Sequence, residues 1–205
     1  GGYNLEVITV LDPQLILASS INDAQLIGEL ENRSFAVVVL DASNISDVFG
    51  DIELVGKITG TASEAETLIG NLTERLEAVT SLTLAEGVDT PKVYMELDNN
   101  LWTYGPGSFG DDLVELAGGM NIAGDMGSPY VKLDEEFIVS SAPDVIVSVF
   151  TPIEDIRSRP GWSDIPAIQN DRLYTIDGDL ISRPGPRIVE GLEELALAIH
   201  PELFP

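Results

Sequence analysis

Residues 5–17 of the chain read LEVITVLDPQLIL, and residues 135–147 repeat the pattern as EEFIVSSAPDVIV. Each copy places a glutamate seven residues before a proline, and an apolar run begins two residues after that proline. A carboxylate favours the first turn of a helix, and the residue before a proline avoids the right-handed helical region, so the proline ends the helix. Each copy therefore predicts a short helix followed by a buried strand. Two copies predict two similar lobes with a cleft.

The chain is strongly acidic. Thirty-five acidic residues against ten basic ones give a formal net charge of −25 over 205 residues. Nucleic-acid binding needs a basic footprint, so that class is excluded, and anionic lipid is disfavoured for the same reason. Two interpretations remain open: a solvated acidic surface, or a field that attracts cations or a basic partner. Three sequons, at Asn32, Asn44 and Asn71, fit a secreted protein without establishing one.

Strand and helix patterns alternate along the chain, which predicts an α/β fold with parallel sheets. Between the two copies, an apolar stripe from Ala65 to Leu82 predicts a long helix that a capping box opens at Ser63. The expected architecture is two Rossmann-like lobes joined by this single helix, with the first lobe incomplete. The expected boundaries are 1–60 for the partial N-terminal lobe, 61–87 for the interlobe helix and 88–205 for the C-terminal lobe.

Three Gly-, Pro- and Asx-rich segments are interpreted as loops: 99–107, 124–130 and 178–185. In open parallel sheets, loops at the carboxyl ends of strands form the ligand crevice. The first and third loops carry Trp102, Tyr104, Asp179 and Arg183. Aromatic rings with one ion pair suit a large, flat, partly polar ligand. The other tryptophan, Trp162, is expected to serve packing.

Other motifs leave alternatives open. Residues 105–110 read GPGSFG and match a dinucleotide-binding pattern, although about seven residues separate the preceding strand from the first glycine. The other interpretation is a glycine-rich loop with Ser108 as helix N-cap. Arg183 and Arg187 either hold the turn between them, or one of them enters the crevice as a hydrogen-bond fork. The single histidine, His200, is expected to cap the last helix, and with no cysteine a zinc site is disfavoured.

The ordered set of C-terminal motifs resembles the iron-chelate/cobalamin class of ABC-transporter substrate-binding proteins (class III, periplasmic-binding-protein type 2). The first helix–strand copy and the segments 55–60 and 116–122 are similar to the same family. The C-terminal motifs are RPGW at 159–162, IPAI at 165–168, LYTI at 173–176 and DGDLISRPGPR at 177–187.

The resemblance implies a non-enzymatic solute-binding subunit with its ligand between two lobes. The ligand class would be an iron chelate (siderophore), haem or cobalamin, transported rather than kept as a cofactor. Cleft positions of the family correspond to Trp102, Tyr130, Asp179 and Arg183. The tyrosine beside the tryptophan, Tyr104, is expected to join them.

The resemblance also implies a docking function for the repeated glutamates. In the family, one surface glutamate on each lobe meets arginines of the permease dimer, and the matching positions are Glu6 and Glu136. The protein would be a monomer outside the cytoplasm. Family members have a further strand–helix–strand section before the first copy, so we expect an N-terminal truncation, with any export signal or membrane anchor outside this chain. The alternatives are an enzyme with a nucleotide cofactor at Gly105–Gly110, and a sensor or binding domain of the same fold.

Overall fold

The computed structural model describes residues 3–19, 22 and 24–204, and the chain forms two compact units, residues 1–42 and 43–205. The N-terminal unit is a two-stranded parallel sheet with two helices. Its strands pair in register, with Ile16 opposite Val37 and Ser19 opposite Leu40. Its elements are α1 (Leu5–Leu11), β1 (Ile16–Ser19), α2 (Ala24–Asn32) and β2 (Val37–Leu40).

The C-terminal unit carries a four-stranded parallel sheet in the order β5-β3-β7-β8, and a separate antiparallel pair, β4 and β6. Its first elements are α3 (Ile45–Thr59), α4 (Ala62–Thr83), β3 (Lys92–Glu96), β4 (Trp102–Tyr104), α5 (Phe109–Leu116), β5 (Met120–Asn121), β6 (Tyr130–Lys132) and α6 (Glu135–Ser141). The remaining elements are β7 (Val145–Ser148), α7 (Ile153–Arg157), α8 (Pro166–Gln169), β8 (Leu173–Thr175), α9 (Gly178–Ile181), α10 (Ile188–Ile199) and a 3-10 turn (Pro201–Leu203).

The central strands β3 and β7 are buried on both faces. Tyr94 and Ile146 are register partners and share one cluster with Ile138 of α6 and Trp162. Val93 points to the other face, where it lies near Ile199 of α10. Burial on both faces explains why β7 is apolar without alternation. Trp162 is fully buried, which confirms its predicted packing function.

The repeated sequence pattern produces the same local structure twice. Both α1 and α6 have seven residues, begin after an Asx N-cap and lead through a proline into a parallel strand. The residues before the two prolines, Asp12 and Ala142, adopt left-handed conformations with φ of 45° and 49°. The proline therefore ends each helix as predicted, because the preceding residue leaves the right-handed region. The helix–strand interpretation of both copies is confirmed, but the prediction of a buried strand is correct only for β7, because β1 is partly exposed and Leu17 is 48% exposed.

The long helix is confirmed as α4, but the predicted capping box is wrong. Its N-cap is Thr61, without a side-chain cap, so Ser63 opens no capping box. The stripe is buried only at Ala65, Leu72 and Val79, whereas Leu82 is exposed. Helix α3 packs on α4 within the C-terminal unit. The lobe boundaries at 1–60, 61–87 and 88–205 stay a prediction.

Candidate functional site

An open pocket with several aromatic rings lies in the C-terminal unit, at the carboxyl edge of its parallel sheet. This aromatic pocket has a volume of about 390 Å³, and its lining residues are Leu97, Asp98, Trp102, Tyr104, Tyr130, Phe150 and Ser182. Leu97 and Asp98 follow β3, Phe150 follows β7, and Ser182 lies beyond β8. Three parallel strands thus deliver side chains to one place, where open α/β sheets form their ligand crevice.

The antiparallel pair β4–β6 positions three of the rings. Trp102 and Tyr104 are two residues apart on β4 and therefore share a face, and Tyr130 is the register partner of Tyr104. The rings of Tyr104 and Tyr130 are 5.8 Å apart between centroids and tilted by 49°. Trp102 is 40% exposed and Tyr130 is 54% exposed, so both rings offer free apolar surface.

Two glycines let aromatic rings pack directly on backbone. A methyl group at Gly110 would overlap the ring of Tyr104, and one at Gly178 would lie 2.5 Å from Cε1 of Phe150. Tyr104 is consequently buried, and its hydroxyl shares a 3.0 Å hydrogen bond with the Ser182 hydroxyl. Burial raises the pKa of the Tyr104 phenol, and the hydrogen bond with Ser182 offsets only part of that shift. The Tyr104 side chain is therefore neutral and held in a fixed position in the pocket lining.

The structure brings some predicted ligand contacts together and corrects their local setting. Trp102, Tyr104 and Tyr130 line the aromatic pocket, but they stand on β4 and β6 rather than in loops. These strands have three residues each, too short for a period-two pattern to emerge beside Asn- and Gly-rich turns. The sequence predicts a loop at Asp179 too, but this residue lies in the four-residue helix α9.

Asp179 and Arg183 form the predicted ion pair, with Arg183 Nε 2.9 Å from Asp179 Oδ1. Neither residue lines the aromatic pocket. Arg183 is, however, the residue directly after Ser182, which does line it. Sequence reasoning missed Phe150 and Ser182. The signal for Phe150 was its position directly after a fully apolar strand, where a large exposed ring faces the carboxyl edge.

Two opposite charges beside the pocket, those of Asp98 and Lys132, attract each other. Lys132 is the register partner of Trp102, on the same face of the β4–β6 pair. Partial burial alone would raise the pKa of the Asp98 carboxyl. The net effect is a lowered pKa, because the carboxylate accepts hydrogen bonds from the backbone N–H groups of Asn100 and Trp102 and is attracted by the charge of Lys132. Asp98 is therefore an ionised wall residue.

The glycine-rich loop at 105–110 serves packing. Gly105 approaches the Ser128 carbonyl, and Ser108 caps α5 through the backbone N–H of Asp111. The Asp111 carboxylate accepts hydrogen bonds from the Gly107 backbone and from Asn121. A protein carboxylate thus occupies the Gly107 backbone donor, which a phosphate in this loop would need. Neither this geometry nor the comparisons below support a nucleotide cofactor here, and the Ser108 cap is confirmed.

A larger cavity of about 490 Å³ lies at edge strand β5. Its lining includes Asp111, Glu115 and Asp125 and, among the residues described, no aromatic ring. Within residues 3–19, 22 and 24–204, no group of three or more acidic or histidine side chains is placed to hold a metal ion. This cavity therefore offers neither the flat apolar wall nor the ligand set that the predicted cargo would use.

His200 is the C-cap residue of α10, as predicted. It is buried, with Nε2 3.2 Å from the Gly118 carbonyl oxygen and Nδ1 3.2 Å from Glu202. Its contacts hold the end of α10 to the turn after α5.

The two predicted docking glutamates occupy equivalent positions, each two residues after its helix N-cap. Glu6 lies on α1 of the N-terminal unit and Glu136 on α6 of the C-terminal unit, and both are exposed. Beside Glu136 lies a groove of about 330 Å³. The groove is lined by Glu135, Glu136, Val139, Ser140, Pro160, Gly161 and Trp162.

Comparisons with known proteins place the chain in a family. A family model described as periplasmic binding protein matches residues 1–180, and the chain therefore belongs to that family. An ABC-transporter substrate-binding lipoprotein of Bacillus subtilis is 32% identical over 98% of this chain and 66% of its own length. A cobalamin-binding protein of Halobacterium salinarum is 30% identical over 96% of this chain and 56% of its own. The chain thus spans between about half and two thirds of these curated relatives.

Solved structures agree on the fold. A possible iron-binding, periplasmic solute-binding protein from Staphylococcus epidermidis superposes with a TM-score of 0.85 at 27% identity, covering 97% of this chain and 81% of that one. A vitamin B12-binding protein of Vibrio cholerae gives a TM-score of 0.86 at 20% identity, covering 100% and 80%. The predicted α/β class with parallel sheets and the predicted family are confirmed. No helix in the part of the chain that the structure describes is long and apolar enough to cross a bilayer.

Proposed function

We propose that this protein is the solute-binding subunit of an ABC importer and captures a metal chelate of the siderophore, haem or corrinoid type. The aromatic pocket is the observation that carries the proposal. Trp102, Tyr130 and Phe150 expose ring surface around the buried ring of Tyr104. Rings held in fixed orientations give a flat ligand contact area at low entropic cost.

The functions of the relatives support this proposal. The Bacillus subtilis relative is a substrate-binding lipoprotein, and the Halobacterium salinarum relative binds cobalamin. These proteins are transport components, so we propose that this chain is not an enzyme and uses no resident cofactor. A lipoprotein relative also favours action outside the cytoplasm at the membrane surface.

Titration calorimetry of the protein against cyanocobalamin, haem and ferric hydroxamate and catecholate siderophores tests the ligand class. We expect one class to bind, and Trp102→Ala to weaken its binding by up to roughly tenfold, since stacking on one ring is worth up to about 1.5 kcal/mol and a factor of ten corresponds to about 1.4 kcal/mol. Leu82→Ala is the matched control because Leu82 is 43% exposed on α4, similar to the 40% of Trp102. No binding of any class, or equal losses in both variants, contradicts the proposal.

The permease would be engaged through Glu6 and Glu136. Each carboxylate stands exposed in the first turn of a short helix, and at Glu136 the groove beside it adds Pro160 and Val139 as apolar surface. A guanidinium pairs with such a carboxylate while its stem covers the apolar surface.

Charge reversal separates docking from ligand binding. Glu136→Lys should reduce ligand-stimulated ATP hydrolysis of the cognate importer in liposomes while ligand affinity stays unchanged. Glu154→Lys is the control, because Glu154 is also an exposed first-turn residue, on α7. A loss of ligand affinity in Glu136→Lys, or an equal transport defect in the control, would contradict the docking function.

A further inference from the structure

The lining of the aromatic pocket carries one charged side chain, and it is acidic. Among the seven lining residues that the structure gives, Asp98 is the only carboxylate and no lysine or arginine is present. Anion-binding sites in proteins use arginine or lysine to replace the hydration that a carboxylate or phenolate loses. A polyanionic ligand would instead meet a carboxylate and neutral rings.

Lys132 and Arg183 each have an acidic side chain nearby. Lys132 lies across from Trp102 and interacts with Asp98, whose hydrogen bonds keep it ionised. Arg183, next to Ser182, is bound by Asp179 at 2.9 Å. The N-cap of α9 adds a further carboxylate, Asp177. The wider chain has 35 acidic and 10 basic residues, so the long-range field also repels anions at low salt.

We propose that the aromatic pocket selects uncharged or cationic metal chelates over polyanionic ones, and that Asp179 is a specificity-determining residue because it neutralises Arg183. The inference rests on the proposed function and narrows its ligand class. It favours corrinoids with amide side chains and hydroxamate complexes, and disfavours tricatecholate complexes and haem with free propionates.

The experiment compares ligands that share a metal centre and differ in charge. Dicyanocobyrinic acid and its fully methyl-esterified form share a corrin ring, and N-succinyl ferrioxamine B shares the iron complex of cationic ferrioxamine B. Affinities are measured by tryptophan fluorescence quenching on the whole protein at an ionic strength of about 0.01 M, where the Debye length is about 30 Å. We expect the anionic member of whichever pair binds to be at least about tenfold weaker. At about 1 M salt this ratio should shrink.

Asp179→Asn then identifies the residue responsible. This substitution removes the carboxylate partner of Arg183. The ratio of the affinity for the neutral or cationic ligand to the affinity for the anionic ligand should then fall by up to about fivefold, which corresponds to the upper range of the interaction energy of an exposed ion pair. Asp171→Asn is the matched control, because it removes another exposed aspartate–arginine pair, the one with Arg157 at 2.5 Å. That variant should leave the ratio unchanged.

The outcomes separate the two proposals. If no corrinoid, haem or ferric chelate binds, the proposed function itself fails. If chelates bind but the anionic member binds as tightly as its partner, the charge selectivity is overturned while the proposed function stands. If Asp179→Asn and Asp171→Asn change the affinity ratio equally, Asp179 is not a specificity-determining residue.

Discussion

A buried ion pair lies at the end of β3, next to the aromatic pocket, and its contribution to the unfolding free energy can be tested quantitatively. Glu96 is fully buried, and Arg159, 14% exposed in its side chain, meets it with both terminal nitrogens, Nη2 lying 2.6 Å from Oε1. Arg159 also stacks on Trp162, with Cζ 4.6 Å from the ring centroid, and the Tyr94 hydroxyl donates to Glu96 at 3.3 Å. The next residues along the chain, Leu97 and Asp98, line the aromatic pocket.

Removing one partner should cost far more than removing both charges. Arg159→Met leaves a buried carboxylate without its counter-ion, which costs about 3–5 kcal/mol of unfolding free energy. In the double variant Glu96→Gln/Arg159→Met, the neutral amide keeps an acceptor for Tyr94 and carries no buried charge. We expect the double variant to recover about 2 kcal/mol of the loss, so the two substitutions are strongly non-additive.

Urea unfolding followed by Trp162 fluorescence measures these differences, in a Trp102→Phe background so that one tryptophan reports. The control is Arg157→Met, which breaks an exposed pair with Asp171 and should lower the unfolding free energy far less. Additive effects within about 0.5 kcal/mol, or an equal loss in the control, would refute this account of the buried pair.

Three smaller predictions concern single positions. Gly178→Ala should displace the Phe150 ring and weaken chelate binding roughly fivefold in calorimetry, a loss of about 1 kcal/mol of aromatic contact; Gly127→Ala, where a methyl group meets open space, should not. Ala142→Gly should raise the urea-unfolding free energy by about 0.5 kcal/mol, because relief of a left-handed alanine exceeds the added chain entropy; lower stability would contradict this. Burial raises the pKa of Tyr104, so an unfolded chain loses that proton first and stability should fall above about pH 10, less steeply in Tyr104→Phe; equal slopes would contradict this.

The features predictable from sequence were those whose cause is local. A glutamate, a proline and an apolar run within 13 residues fix a helix, its end and a strand, so both copies of the repeat could be predicted. Ser108 and His200 were predictable for the same reason, because a cap acts within one turn of its helix. The choice of Trp102 over Trp162 as the exposed ring followed from Asn and Gly neighbours.

The unpredicted features depend on contacts between distant residues. Tyr104 and Ser182, which share a hydrogen bond, are 78 residues apart in sequence. The Phe150 ring packs on Gly178, which lies 28 residues further along the chain. Strand β4 exists because it pairs with β6, and neither segment has enough residues to signal a strand alone. Sequence spacing carries no information about such partners, so these contacts of the aromatic pocket could be identified only from the three-dimensional structure.

These two kinds of feature have different consequences for specificity. The central strands β3 and β7 are fixed by burial, where most substitutions cost stability. Short segments after β3, β7 and β8 lie at the aromatic pocket or next to it. Their members Phe150, which is exposed, and Asp98 and Asp179, which are partly exposed, can change at little cost to the core. We therefore expect single substitutions such as Asp179→Asn to shift the proposed charge preference without any change at Glu6 and Glu136, the proposed docking residues. We accordingly expect proteins of this family that share the two glutamate helices to differ in cargo mainly at these three segments.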